Sequence, residues 1–317
     1  MSLTMFASTG KPTASRASFG KALLEIADQF PQMVVVDADL SKSTKTIDFQ
    51  KQHPHRHIQL GIQEGNMVTM AAGMASMGQI PFIASFGCFL IGRFEQIRMS
   101  IGYSNANVKL VGTHVGIGIG PDGYSQMALE DISCLRTLAN ITIIQPGDHR
   151  ETVQAVRWAA EHNGPVYLRL TRQNLPQFHS DDYQFQIGKA DVIKSGKDVA
   201  ILATGGTIEP AMAAVALLAE RGIDAELVNF HSIRPLDEDY LVSASARFGH
   251  LVTVEDHSIF GGLGGAVAEV LCEKAPAKLL RLGMQTYGES GEPEDLYQKY
   301  GFTGEAIAAK TATLLGK

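Results

Sequence analysis

The stretch VKLVGTHVGIGIGPDGYSQM occupies residues 108–127, and the fold turns on how its glycines are read. An apolar run, VKLVG, leads to Gly118, Gly120 and Gly123, the spacing G-x-G-x-x-G. A dinucleotide fingerprint has that spacing where a strand passes directly into a helix. Here Pro121 and Asp122 stand inside it, and no helical period begins before about Met127. The nicotinamide reading fails. The glycines instead admit a ligand to the backbone or simply turn the chain.

The strand before this loop is one of a series. MVVVD (33–37), PFIAS (81–85), ITII (141–144) and VYLRL (166–170) are apolar throughout. Helix-period segments near 15–29, 66–77, 92–103, 127–138 and 149–161 separate them. Strands without alternation, spaced by helices, predict a parallel sheet covered on both faces. The segment 171–191 is polar, aperiodic and reads as a linker. The alternation restarts with DVAILAT (198–204), AELVNF (225–230), LVTVE (251–255) and LLRLG (279–283), with helices from about 209, near 236–246 and from about 264. The expected fold is α/β, with two doubly wound, mostly parallel-sheet domains at 12–178 and 190–317. FGGLGGAVAEV (260–270) does open a helix after a strand, but close helix–strand packing explains it better than a phosphate loop does.

With 317 residues, 45% hydrophobic and 19% charged, the chain can bury a large core. A net charge of −6 argues against nucleic acid or an anionic membrane as partner. Cys88, Cys134 and Cys272 lack metal-ligand spacing and read as buried free thiols of a reducing compartment. The polar N-terminus carries no signal peptide and no apolar run reaches membrane length, so the expected location is cytoplasmic. NIT at Asn140 reads as a strand entrance.

Ligands of such sheets bind beyond the carboxyl ends of the strands. Ser85, Phe86 with Phe89, His114, Asp122 and Arg172 all fall there, and Glu64 stands at the entrance of a small apolar helix in GIQEGNMVTMAAGMA (61–75). Each alone reads most simply as structural, Glu64 as a helix-dipole partner. Together on one rim they point to a site.

The segments GIQEGNMVTMAAGMA, ASFGCFLIGRFEQIRMS, GTHVGIGIGPDGYSQMALEDISCLRTLANITIIQPGD and LRLTRQNLPQ resemble the pyrimidine-binding domain of transketolase. VEDHSIFGGLGGAVAEVL resembles that family's C-terminal domain. The resemblance runs from about Arg16 to the end. It implies thiamine diphosphate as cofactor, with Glu64 bonded to N1′ of the aminopyrimidine and sharing a proton with it, an exchange that a buried carboxyl suits. It implies that Phe86 and Phe89 pack on the pyrimidine, that Asp39 lies close to the cofactor, and that Arg16, Ser43 and Arg172 hold a sugar phosphate. His114 would handle the substrate carbonyl or hydroxyl and Asp122 a substrate hydroxyl. Gln126 stands where some transketolases have histidine.

The family holds the diphosphate and Mg²⁺ through GDG followed by a later Asn. In this chain GD occurs once, at Gly147–Asp148, followed by His149. A full transketolase is also about twice as long. The chain therefore resembles the C-terminal subunit of a split transketolase, with the Mg²⁺ ligands expected on a separate N-terminal subunit. The subunit would form a homodimer through the helix at 92–101 and the glycine-rich start at 261–266. The expected reaction is two-carbon ketol transfer between sugar phosphates, central pentose phosphates by default. Two alternatives are the β subunit of a 2-oxo acid dehydrogenase E1 component and a scaffold that has lost catalysis. Arg16, Ser43, Arg172 and the THVGIGIGPDG block favour the sugar-phosphate enzyme.

Overall fold

The computed structural model describes residue 6 and residues 9–317; the reading of a polar, leaderless N-terminus rests largely on residues outside these. The first half runs β1 (Gly10–Ala14), β2 (Met33–Asp37), β3 (His57–Gln59), β4 (Ile80–Phe86), β5 (Lys109–Thr113), β6 (Thr142–Ile144), β7 (Val166–Arg169) and β8 (Asn174–Gln177). The second runs β9 (Asp191–Lys194), β10 (Val199–Ala203), β11 (Ala225–Asn229), β12 (Ser232–Arg234), β13 (His250–Ser258) and β14 (Lys278–Met284). They form a seven-stranded sheet in the order β12-β6-β7-β5-β4-β2-β3, a five-stranded sheet in the order β14-β13-β10-β11-β9, and the pair β1-β8.

Both large sheets are parallel except for β12 and β9 at their edges. The reason is visible in β2. Val35 packs with Phe19, Leu23 and Ala155 on one face, while Val34 and Val36 pack with Met67, Val68 and Ala71 on the other. Side chains alternate across a strand, so a strand covered on both faces must be apolar at every position. The helices Ser15–Ile26 and His149–Glu161 thus cover one side and Glu64–Ser76 the other. The helices Ile208–Glu220 and Gly304–Leu314 pack on the second sheet, in a core shared with Phe302, Val199 and Ile201. No helix among the described residues is long and apolar enough to cross a membrane.

Several local readings change. The segment 171–191 is not a plain linker, since β8 pairs antiparallel with β1. The first site helix begins at Glu64 rather than near 66, and the segment read as one helix at 92–103 is mostly a π-helix, Ile97–Tyr103. The helix expected from 127 starts at Asp131. Cys88 and Cys134 are only half-buried and Cys272 is exposed, because their helices turn those faces outward. Asp148 of the lone GD is the N-cap of the helix His149–Glu161, where its side chain accepts from the Glu151 amide at 2.9 Å.

Residues 178–191 are fastened by a buried polar network. His179 lies between Asp148, at 3.0 Å, and Asp191, at 2.8 Å. Glu151 accepts from Tyr183 at 2.7 Å and from Asn229 of β11 at 2.9 Å, and His231 lies 2.9 Å from it. Burial disfavours the His179 imidazolium, but its bonds to Asp148 and Asp191 and the Glu151 charge outweigh this and push it up to about 10. Burial likewise opposes the Glu151 carboxylate, yet His231 and His179 bring it down to about 2. A raised histidine stabilises fully below its ordinary value of 6.5, and that stability is lost as pH rises through about 10. A lowered carboxyl stabilises above its ordinary 4.5, and that is lost as pH falls through about 2. The network is therefore fully effective between 4.5 and 6.5. Thermal midpoints should fall as pH is raised from 6.5 towards 10, and His179→Asn should flatten that decline. An equally steep decline in the variant, followed by circular dichroism, would place its origin elsewhere.

Candidate active site

In the seven-stranded sheet the chain leaves β2 outward to β3, then returns across it to β4. Beyond the carboxyl ends of β2 and β4 the connections diverge, which opens a crevice. Asp37 ends β2 and is fully buried. Its carboxylate accepts from the Leu40 amide at 2.6 Å, Thr44 at 2.7 Å and Thr46 at 3.0 Å. This bends the chain back and sets out Asp39, Ser43 and Lys45 along the rim. Asp39 and Lys45 both sit in the left-handed region, with φ of 63° and 69°. Asp39 is exposed, and its amide donates to Gln59 Oε1 at 2.6 Å.

Glu64 is the first residue of its helix and only 5% exposed. The Ser85 hydroxyl, near the end of β4, donates to its Oε1 at 3.2 Å. Among the described residues no donor reaches Oε2. Phe86 follows Ser85 and stacks on Phe89, with centroids 5.3 Å apart and rings within 7° of parallel.

Phe86 also stacks on His114, whose ring centroid is 3.8 Å away. His114 comes directly after β5, with φ 57°. Its Nε2 lies 3.1 Å from Arg16 Nη1, and its Nδ1 lies 2.8 Å from Thr113 Oγ1. A guanidinium can only donate, so Nε2 is the acceptor and Nδ1 carries the proton. Burial, reinforced by the charges of Arg16, Arg172 and Lys45, pushes the imidazole down to about 3. It is neutral at neutral pH. The Thr113 hydroxyl, accepting from Nδ1, donates to the Ser85 carbonyl at 3.3 Å. One hydrogen-bonded line thus joins Arg16, His114 and Thr113 to Ser85, which holds Glu64.

Arg16 also donates to the Ser43 carbonyl at 2.7 Å, while its buried Nε has no partner. Burial and the Arg172 charge lower its pKa. Arg172 is exposed and donates to the Ile119 carbonyl. Arg16 and Arg172 line one cleft of about 280 Å³, with Gly118, Pro121, Gln173 and Glu292. A larger cavity of about 530 Å³ lies farther along the same seam, lined by Gln173 and Tyr297 among others, and holds none of the expected site residues. Asp122 is exposed and Gln126 half-buried on the turn past the loop, and neither bonds to the His114 group.

The glycine-rich segment forms a short 3-10 turn, Ile117–Asp122, pressed against the second half of the chain. Asp256, just past Glu255 in β13, accepts from the Ile117 amide at 2.7 Å. Gly116 has φ 75°, and a Cβ there would lie 2.1 Å from Asp256. So the backbone approach that glycine permits is made by the protein itself. Reading the residues singly missed Asp37, Thr113 and Asp256. Only Asp37 carried a signal, as an acid closing an otherwise apolar strand.

An aminopyrimidine presents a flat ring and ring nitrogens able to exchange a proton. The open Oε2 of a buried glutamate beside the Phe86–Phe89 pair fits that group. No cluster of three His, Cys, Asp or Glu able to hold a metal occurs among the described residues.

The family model of the transketolase pyrimidine-binding domain matches residues 11–177, and that of the transketolase C-terminal domain matches residues 188–307. A Methanocaldococcus jannaschii protein, provisionally named a transketolase C-terminal section, is 42% identical over 93% of this chain and 94% of its own. The 6-deoxy-6-sulfo-D-fructose transketolase subunit SqwH of a Clostridium species is 38% identical over 92% and 91%. A solved split-gene transketolase, described as an inactive beta4 tetramer, superposes with a TM-score of 0.89 at 41% identity, over 96% of this chain and 99% of that one. Matched along both halves, and nearly end to end by relatives that are themselves sections or subunits, this chain belongs to the transketolase family.

Proposed function

We propose that this chain is the C-terminal subunit of a two-chain, thiamine diphosphate-dependent transketolase, which moves a two-carbon ketol unit from a ketose phosphate to an aldose. The observation that carries the reading is the hydrogen-bonded line from Arg16 through His114 to Ser85, the partner of Glu64. It sets an anion-holding end and a proton-exchanging end on one rim. Thiamine diphosphate, when bound, supplies the ring carbon that adds to the ketose carbonyl. Glu64 holds and exchanges a proton at the aminopyrimidine nitrogen through Oε2, while Ser85 fixes Oε1. Phe86 and Phe89, stacked on each other, pack against the pyrimidine and exclude water, and Asp39 borders the cofactor.

His114, neutral and protonated at Nδ1, has a single acceptor, Nε2, which takes the Arg16 donor here and accepts a hydroxyl proton when Arg16 turns to the substrate's anion. Arg16, Ser43 and Arg172 hold the substrate's anionic terminus, and Asp122 and Gln126 read its hydroxyls. Mg²⁺ and the diphosphate fall to an N-terminal subunit. The beta4 tetramer of the split-gene relative, described as inactive, supports self-association without activity. The name of the Clostridium relative widens the donor class beyond pentose phosphates to sugars with other anionic ends.

Glu64→Gln removes the exchangeable proton but keeps the shape. Steady-state turnover of the complete complex should fall by about 10²-fold or more, as for loss of a general acid–base, with the melting profile unchanged. Turnover near that of the unmodified protein would refute the role. Calorimetry of the isolated chain should show weak or no binding of thiamine diphosphate with Mg²⁺, and tight Mg²⁺-dependent binding would overturn the two-subunit reading. Light scattering should find the isolated chain self-associated through the 92–101 and 261–266 segments, in an interface of more than about 2,000 Å². A stable monomer would refute that assembly.

A further inference from the structure

The rule that places the first site applies to the second sheet as well. In the order β14-β13-β10-β11-β9, the chain leaves β10 towards β11 and leaves β13 towards β14. The connections diverge at the carboxyl ends of β10 and β13, so a second crevice opens there. A polar chain plugs part of it. Gln173 Nε2 donates to Tyr297 Oη at 2.9 Å, and Tyr297 donates to Asp256 Oδ2 at 2.9 Å. Gly206, just past β10, makes room for this plug: a Cβ there would lie 2.6 Å from Gln173 Nε2 and 3.0 Å from Tyr297 Oη.

What stays open is the cavity of about 530 Å³, within the range of about 300–1,000 Å³ usual for small-molecule sites. Both halves of the chain wall it. Asn174 and Leu175 come from one, the first turn of the helix Ile208–Glu220 and the helix Pro293–Tyr300 from the other. Leu175, Pro210, Ala213 and Pro293 make an apolar surface. Beside it Tyr297 and Phe302 meet edge to face, with centroids 5.8 Å apart and rings at 60°.

The charged residues on this wall are two acids, Glu209 and Glu294, and no Lys, Arg or His lines it. Neither carboxylate has an ion-pair or hydrogen-bond partner among the described residues. The protein around Glu209 raises its carboxyl above the ordinary value, and no cation offsets this. The adjoining cleft shares Gln173 and Pro293 with the cavity but carries Arg16 and Arg172. The seam is thus divided by charge, and an anion drawn to the arginines is repelled by the acids. An ammonium group suits the cavity on three counts. Free carboxylates match its charge, aromatic faces attract it through their quadrupoles, and the apolar wall takes a hydrocarbon body out of water.

We propose that this cavity is a second ligand site, separate from the Glu64–His114 line, which binds a small organic ammonium ion with an apolar body.

Three probes of similar shape and different charge test it: phenethylammonium, phenethyl alcohol and hydrocinnamate, followed by ligand-observed NMR titration of the full chain near neutral pH. The unmodified chain should bind the ammonium about fivefold more tightly than the alcohol, as one partly exposed charge pair allows, and the carboxylate more weakly still. Glu209→Gln should weaken the ammonium by about fivefold and leave the alcohol within about twofold. Pro210→Trp fills the cavity from the first helical turn and should abolish binding of both. An ammonium that does not bind, a carboxylate that binds as well as the ammonium, or an ammonium affinity unmoved by Glu209→Gln overturns the proposal. Binding retained in a folded Pro210→Trp variant shows that the probes sit elsewhere and overturns it too. Should that variant fail to fold, as its melting profile would show, the Glu209→Gln comparison decides alone.

Discussion

A single hydrogen bond sets the state of the site: Arg16 Nη1 to His114 Nε2, at 3.1 Å. Because the guanidinium has only donors, it dictates the imidazole tautomer, and the tautomer dictates which way Thr113 turns. The same arginine supplies part of the field that keeps His114 uncharged. An imidazolium at this position would have no acceptor to offer Arg16. Proton state, ring orientation and the link to Glu64 are thus settled before any ligand arrives, which is preorganisation in the electrostatic sense.

This arrangement depends on a seam between two sheets that share apolar packing. Ile117, Ile119 and Met127 from the glycine-rich region lie in one cluster with Val199, Val252 and Leu296 of the second half. Asp256 anchors the loop by its amides, and the two-stranded β12–β6 contact joins the halves at the sheet edge. The second half contributes no residue to the Glu64–His114 line. Its contribution is to hold the loop that follows His114 and to close the cleft of Arg16 and Arg172.

The parallel sheets were legible because burial on both faces leaves no room for polar alternation, so runs such as MVVVD and VYLRL can be read directly. The placing of Glu64, Ser85, Phe86 and His114 on one rim followed from the same logic, while their roles came only from family resemblance. The β1–β8 pair escaped notice because NLPQ is short, polar-flanked and carries a proline, features of an edge or a loop alike. The His179–Asp148–Asp191 and Glu151–His231 contacts join residues distant in the chain, and no local pattern encodes such pairings.

The β12 strand, drawn from the second half to border β6, bears on how the polypeptide can be divided. A fragment ending after β8 would keep every residue of the Glu64–His114 line, yet it would leave β6 as a bare border with unpaired amides and carbonyls. Such a border is a template for adding strands from other molecules. Excised first halves would assemble edge to edge into aggregates, and the 232–234 segment acts in the longer chain as a built-in guard against that fate.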